Sequence, residues 1–501
     1  MKKAKNILVV GGGTAGWMAA TTLQHSIGDS CVITLVESSD VPIIGVGEGS
    51  TPYLKTYFDH LGITESEWMP ECDATYKAGI LFPNWSTQPG YEQYFHPFFS
   101  QLDLKPAELY FYNCNRRRRG EDVPVLPEDY FISGHIVDQN LSPVPNQPLP
   151  FNVDYGYHFD SGKLGDFLKR RAIKRGVKHI IDHVIDIHLD SADAIAGVEL
   201  KEQGIHQADF YIDCTGFEGL LIDKALHTQF HSYQDVLLND SAVAIQTPRL
   251  DHDPMPAQTV SQAMKCGWSW RIPLTSRWGN GYVYSSQYIS DDDAESELKE
   301  MLGVIDQDVK VKRLKIKIGR VKQHWHKNCL AVGLAQGFIE PLEATALMLI
   351  QFTLTGFVDV YRTSGLDDSE KIASFNSQIN NTFDGVKDYI LTHYLLNTRD
   401  DTPYWRAARN VKNIPHRLQS LIATWDNGGD FDFELAQHKD QLIYLRPSWY
   451  CLLSGMGRFN KPVKQSNQPS RINEVKQHSA QVASHYFSPH IQQLALLKNS
   501  H

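Results

Sequence analysis

Three glycines open the chemistry this sequence offers. Gly11, Gly13 and Gly16 follow the β-branched run Asn6 to Val10 in a GxGxxG spacing, and Thr14 and Ala15 begin a helix between them. Gly11 permits a tight turn, Gly13 lets a pyrophosphate approach the backbone, and Gly16 lets the helix lie close to the strand. Unpaired N–H groups at that helix start suit phosphate oxygens. Glu37, about twenty residues after Gly16, ends the next strand, where an acid accepts from ribose hydroxyls. The pattern predicts dinucleotide binding but does not separate NAD from FAD. The glycine-dense run Ile44 to Gly49, which includes Gly47 and Glu48, suits close approach to an extended cofactor. The late strand-end turn Asp213-Cys214-Thr215-Gly216 is typical of proteins that wrap all of FAD. Gly333 to Gly337 leads toward a helix whose start would lie near a flavin ring. Together these favour FAD.

A second constellation is Trp268-Ser269-Trp270-Arg271-Ile272-Pro273. On a strand, Trp268 and Trp270 share a face, so the two indoles are expected to make one flat apolar wall. Pro273 lacks a ladder donor, so the strand should end there or lie at an edge. Two core tryptophans in a sheet are the bland alternative. Further aromatics cluster at Tyr94 to Phe99, at Tyr404-Trp405 and from Tyr444 to Tyr450. Such rings sandwich an aromatic substrate by stacking, or simply fill a core.

These residues need a scaffold. Strand, helix and second strand within about thirty residues imply a parallel sheet with a right-handed crossover. Phe210 to Cys214 and Leu330 to Val332 read as returns to that layer, while Trp268 to Pro273 and Gly281 to Ser286 read as strands of a separate antiparallel sheet. From about Gly365 the pattern turns helical, with a polar tail after about Pro462. The nucleotide-binding elements are thus discontinuous, near residues 5–50, 160–225 and 315–360. The expected division is a core over residues 1–365 and a mainly helical, substrate-side region over 366–501.

Composition bounds the partners. The 501 residues are 42% hydrophobic and 21% charged, with a formal net charge of −10, which argues against nucleic acid or an anionic membrane. The run Arg116 to Arg119 opposes that trend; it reads as a solvated loop or salt-bridged face, with a docking patch for an anionic partner second. Seven scattered cysteines without a CxxC pair make a disulfide framework or zinc site unlikely and fit a reducing cytoplasm. No signal-peptide pattern follows Met1. The apolar stretch Ala344 to Tyr361 carries polar residues and reads as a buried helix rather than a membrane span.

With these pieces in place, the chain resembles the flavin-dependent halogenases, particularly the tryptophan halogenase family. The resemblance rests on Gly11 to Trp17, Gly45 to Gly49, Lys77-Ala78-Gly79, the WxWxIP run, Gly281 to Ser286 and Gly337 to Glu343, in the family's order, with a looser likeness from Ser448-Trp449 to Gly457. It implies an α/β fold: an FAD-binding Rossmann-like core of the aromatic hydroxylase and glutathione reductase type, an inserted antiparallel sheet and a helical C-terminal substrate region. It also implies reduced FAD from a separate flavin reductase, oxidation of chloride or bromide to hypohalous acid, and passage of that acid through a tunnel to a small aromatic substrate. Trp268, Trp270, Ile272 and Pro273 would shield the flavin. Lys77 matches the family's active-site lysine and Glu343 its catalytic glutamate.

Pro341 suggests that a helix starts here, so the amides of Thr345 and Ala346 would face the halide. First-turn dipole complementation is the alternative reading of Glu343. The family commonly has serine, threonine and glycine where this chain has Ala344, Thr345 and Ala346. Alanine does not readily take the positive φ of glycine, so bromide is expected to compete well with chloride. His96, Phe98, Tyr444 and Trp449 are the expected substrate-pocket residues, a structural histidine being the other reading of His96. No metal site is expected, and the assembly state, including a homodimer, is left open. An FAD aromatic hydroxylase and a flavin-binding module without activity are the competing readings.

Overall fold

The computed structural model describes residues 4–40, 47–250, 252–466 and 468–499. Its nucleotide-binding layer is a six-stranded sheet in the order Trp325–His326, Cys329–Ala331, Phe210–Asp213, Asn6–Val10, Val32–Glu37, Lys178–Ile181. All pairs are parallel except the edge hairpin Trp325–His326 with Cys329–Ala331. Ile7, Leu8, Val9 and Val10 are all buried, as expected of a central parallel strand covered on both faces. The helix Thr14–Ile27 follows the glycine turn and buries Trp17, Met18, Ala19, Ala20 and Leu23. The three segments read as distant from each other in sequence therefore do meet in one sheet.

The inserted sheet has seven strands, in the order Val311–Lys315, Ser241–Pro248, Arg277–Tyr284, Gly267–Pro273, Gln258–Met264, Gly79–Pro83, Gln93–Pro97. It is antiparallel except where Gln258–Met264 pairs with Gly79–Pro83. The tryptophan strand ends at Pro273, but lies at the sheet's centre rather than its edge. A small third sheet joins Gly47–Gly49 and Thr75–Lys77 to opposite edges of Gly156–Asp160. It links the second glycine run to the strand carrying Lys77.

Helices dominate the rest. Ala346–Ser364 and the 28-residue Ser369–Leu396 pack together. Asp368 caps the second by accepting from the Lys371 amide, and Thr402 caps Pro403–Arg409, whose proline stands at the first turn. Among the described residues no helix is long and apolar enough to cross a membrane.

Two expectations need correction. The segment after Pro462 is not merely a polar tail: it forms helices Ile472–Tyr486 and His490–Asn499, and the strand between them pairs with Leu141–Pro145. The arginine run is not a solvated loop along its length: Arg116 pairs with Glu121, as the salt-bridged reading allows, while Arg119 is exposed. Arg116 and Arg118 are 4% and 2% exposed. Arg116 bonds Glu121, Asn113, Ser466 and two carbonyls, while Arg118 donates to the carbonyls of Thr424, Trp425 and Gly429. Both sit at the end of helix Leu104–Arg117, where their guanidinium forks tie it to the end of helix His416–Asn427 and to Ser466, Gln468 and Pro469.

Candidate active site

The glycine cradle is built as its spacing demands. Gly11 has φ +110°, and a Cβ there would lie 2.2 Å from the Cys214 carbonyl oxygen; one at Gly16 would lie 1.9 Å from the Gly11 oxygen. The fingerprint turn thus abuts the Asp213–Gly216 turn, and only glycine allows either approach. A Cβ at Gly13 would meet nothing within 4 Å, which leaves open space over the helix start. Gly13 itself caps that helix without a side-chain bond. The Thr14 hydroxyl is committed to the Ser161 carbonyl. Gly333, φ +69°, packs against Ala15, its Cβ position 2.6 Å from the Ala15 Cβ. Gly337 instead lies in a short strand pairing with Gly319–Val321. Glu37 ends its strand beside Gly12, its carboxylate held by Lys169 at 2.6 Å and His179 at 2.8 Å. Glu48 is lifted to about 7 by burial, with a Ser161 hydrogen bond opposing. Ile44, Gly45 and Val46 lie outside the described residues. An open helix start, an acid at the second strand's end and two glycine turns fit a dinucleotide such as FAD.

Gly47 carries this cradle toward the tryptophans. A Cβ there would lie 3.2 Å from the Gly279 backbone and 3.6 Å from Ile272. Trp268 and Trp270 do share a face and are 1% and 8% exposed. Their ring centroids are 6.2 Å apart and their planes 57° apart, so they do not form the flat wall expected from strand geometry. Each ring is set by its own partner. Trp270 lies across Gly281, where a Cβ would come within 2.0 Å of the indole. Trp268 donates its indole N–H to Glu340 at 2.6 Å.

The two titratable residues read as catalytic are both brought inside. Lys77 is 0% exposed and Glu343 is 3% exposed. Burial pushes the Lys77 amine down from 10.5 to about 7, with Glu343 opposing. Burial would raise the Glu343 carboxyl, but His96, His393 and Lys77 together hold it below the ordinary carboxylate range. Such mutual influence places Lys77, Glu343 and His96 in one electrostatic neighbourhood. Lys77 Nζ lies 5.4 Å from the centroid of the half-buried Phe98 ring.

Tyr389 gathers the remaining aromatics. It stacks on Tyr444 at 3.7 Å and meets Trp449 edge-on at 5.1 Å. Its hydroxyl donates to the Ser448 carbonyl and sits 3.1 Å from His96 Nε2. A hydroxyl has one proton, so His96 Nε2 is the donor and Nδ1 is left as an acceptor. That Nδ1, Lys77 Nζ, the Tyr444 hydroxyl and Trp449 Nε1 are all buried without a hydrogen-bond partner.

Residues 6–470 match the family model described as tryptophan halogenase. The chain belongs to the tryptophan halogenase family. It is 36% identical over 440 residues to the tryptophan 6-halogenase SttH of Streptomyces toxytricini, covering 84% of this chain and 83% of that one. Identity to the tryptophan 7-halogenase RebH of Lentzea aerocolonigenes is 36% over 480 residues, covering 91% and 90%. Among solved structures, Tar14, a tryptophan C-6 flavin-dependent chlorinase from taromycin biosynthesis, superposes with a TM-score of 0.86 at 32% identity, covering 99% of this chain and 100% of that one. The activity is flavin-dependent halogenation with reduced FAD and halide as reactants, and the aromatic hydroxylase alternative is set aside.

In this halogenase the segment after Glu340 differs from the expected helix start. Pro341–Glu343 is a 3-10 turn, Ala344 takes φ +56°, and the long helix begins only at Ala346. Ala346 is therefore an ordinary helical residue. The missing glycine imposes no strain there, and the backbone reason for a shifted halide preference is gone. Left-handed backbone falls on Ala344 instead.

Sequence reasoning missed three residues of this site. His393 Nδ1 lies 3.1 Å from the Tyr389 carbonyl, and Nε2 lies 3.1 Å from Glu343 Oε1. The carbonyl can only accept, so Nδ1 is the donor there, and Nε2 faces both that carboxylate and the Tyr94 hydroxyl, 3.2 Å away. Glu340 Oε2 accepts from Trp268, Asn239 and Tyr394, all buried. Tyr389 completes the aromatic pocket. His393 and Tyr389 lie one helical turn apart on Ser369–Leu396, a signal visible only once that helix is known to line a site.

Proposed function

We propose that this halogenase places a halogen on an indole ring, with Lys77 and Glu343 as its catalytic residues. One observation carries the reading: four polar atoms of the expected chamber, on Lys77, His96, Tyr444 and Trp449, are buried with no protein partner. Buried polar groups are ordinarily satisfied, so such a cluster marks where ligand groups belong. His96 Nδ1, an acceptor, suits an indole N–H, and the rings of Phe98, Tyr389, Tyr444 and Trp449 suit an aromatic plane.

Gly11, Gly13, Thr14, Ala15, Gly16, Glu37, Gly47, Glu48, Gly333 and Gly337 would hold reduced FAD, which with oxygen would supply the oxidising power that turns halide into hypohalous acid. The amides of Thr345 and Ala346, at the start of a 19-residue helix without a side-chain cap, hold the halide. Trp268, Trp270, Ile272 and Pro273 keep the substrate away from the cofactor. Lys77, desolvated and near neutrality, hydrogen-bonds the electrophile and fixes its approach to one ring position. Glu343 stabilises the cationic ring adduct and takes up the displaced ring proton, with His393 Nε2 3.1 Å from its carboxylate. A separate flavin reductase supplies the reduced cofactor. Buried thiols at all seven cysteines accord with a reducing cytoplasm as its setting. Residues 1–365 form the cofactor and halogenation core, and 366–501 supply the substrate side.

The test is turnover with a flavin reductase, chloride and bromide, and a panel containing tryptophan, other indoles and phenols, read by mass spectrometry. Monohalogenated indole products are expected, lost in Lys77→Ala while FAD binding and flavin oxidation persist. Halogenation of phenols alone, or normal halogenation by Lys77→Ala, would overturn the reading.

A further inference from the structure

Behind Lys77 runs a chain of hydrogen bonds whose directions can be fixed one by one. Thr75 and Lys77 lie two residues apart on strand Thr75–Lys77, hence on one face. The Thr75 hydroxyl donates to the carbonyl of Pro273, the last residue of the tryptophan strand, at 2.7 Å. Its single proton is then used. Toward His158 Nδ1, 3.0 Å away, Thr75 can only accept, so Nδ1 carries the ring proton. His158 is 0% exposed, and burial together with Lys77 and His490 keeps the ring neutral, well below 6.5. Its Nε2 is therefore an acceptor. Thr259, 3.0 Å from Nε2, must be the donor there. With its proton spent in turn, Thr259 Oγ1 offers its surroundings lone pairs alone.

Those surroundings include Lys77. A Cβ built on Gly49 would lie 3.2 Å from Lys77 Nζ, 3.4 Å from Thr259 Oγ1 and 3.6 Å from His158 Cδ2. The amine and the threonine oxygen thus border the same bare glycine. Nζ has no hydrogen bond as it stands, and the Thr259 oxygen is an acceptor bordering the same glycine. The other titratable groups acting on the amine are Glu343, His96 and His158.

We propose that Thr75, His158 and Thr259 are positioning residues for Lys77, presenting its amine with an oxygen that can only accept. One N–H of Nζ is then drawn to Thr259, and the remaining valences are left for the electrophile. Donation runs one way, from Thr259 through His158 and Thr75 to the Pro273 carbonyl, so the tryptophan strand anchors both the cofactor-side barrier and the orientation of the lysine. This inference rests on the role given to Lys77 above.

The test compares Thr259→Val, which removes the hydroxyl at nearly constant shape, with Thr259→Ser, which keeps it. Product formation and capture of escaped hypohalous acid by a soluble activated-methylene scavenger are measured together across pH. In Thr259→Val, product is expected to fall about tenfold while total oxidant is unchanged, the difference appearing on the scavenger. The limb of the pH profile set by Lys77 should move to lower pH by about one unit, because an ammonium that loses an acceptor gives up its proton more readily. Thr259→Ser should restore both. A Thr259→Val enzyme indistinguishable from wild type, or a Thr259→Ser enzyme equally impaired, would overturn the proposal. Neutron diffraction of the wild-type protein gives a second arm independent of any variant: deuterium is expected on His158 Nδ1 and not on Nε2, and the opposite tautomer refutes the chain. Lys77→Ala in the same assay separates the two claims. If it halogenates normally, the lysine assignment falls; if it is inactive while Thr259→Val behaves as wild type, only the positioning chain falls.

Discussion

Replacing Lys77 by methionine should make this protein more stable while ending its activity. Methionine has nearly the length of lysine and no charge, so the buried site keeps its volume. Lowering the amine from 10.5 to about 7 corresponds to about 5 kcal/mol at about 1.4 kcal/mol per pKa unit, the free energy by which folding disfavours the protonated lysine. Part of this is offset in the variant, because Glu343 loses one of the three groups that hold its carboxyl down; a net gain of about 2–4 kcal/mol at pH 6.5 remains. The pH dependence has a definite sign. Below pH 7 the lysine is protonated in both states and the full penalty applies. From pH 7 to 10.5 the unfolded chain binds the proton and the folded chain does not, so wild-type stability rises with pH relative to the variant. The gap should narrow by about 2–3 kcal/mol between pH 7 and 9. Urea unfolding of both proteins without FAD, followed by tryptophan fluorescence at pH 6.5, 7, 8 and 9, reads this directly. Glu343 titrates in the acid range and does not imitate the alkaline trend. A variant that is less stable throughout, or a gap independent of pH, would show that Lys77 is neither desolvated nor strained by its site.

Three further outcomes are expected. Glu343→Gln should slow the halogenation step about 10²-fold in single-turnover assays while oxidant formation continues, as for a lost general base. Ala344→Gly should raise thermal stability by about 1 kcal/mol or less, since it relieves a left-handed alanine at the cost of some chain entropy; an unchanged chloride-to-bromide product ratio would confirm that backbone strain there does not govern halide choice. Arg118→Met should destabilise by about 1–2 kcal/mol in urea titration, because a buried guanidinium loses its hydrogen bonds to the carbonyls of Thr424, Trp425 and Gly429, yet the halogenated position should not change.

The division between sequence and structure follows the range of the forces involved. Local patterns were legible where a short stretch must satisfy its own geometry. The GxGxxG turn, the strand ends at Glu37 and Asp213, and the same-face placement of Trp268 and Trp270 are set by backbone requirements within a few residues, and each was found where expected. The halogenase likeness likewise followed from short runs in order. What failed was any inference about a side chain's surroundings. Four consecutive arginines look solvated or salt-bridged until segments more than about 300 residues away supply carbonyls to Arg116 and Arg118. Two indoles on one strand look coplanar until Gly281 and Glu340, each contributed by another segment, turn them to 57°.

The amino-acid order by itself determined the cofactor cradle, the tryptophan strand and the candidate lysine and glutamate, because spacing along the chain fixes turns, strand faces and helix starts. Only the tertiary structure decided what those groups do to one another. Burial of Lys77, the meeting of His393 with Glu343, the bare acceptor on His96 and the one-way bonds behind Gly49 all arise between residues far apart in the chain. Desolvation and hydrogen-bond direction depend on what closes over a group from elsewhere in the fold, and no local spacing encodes that.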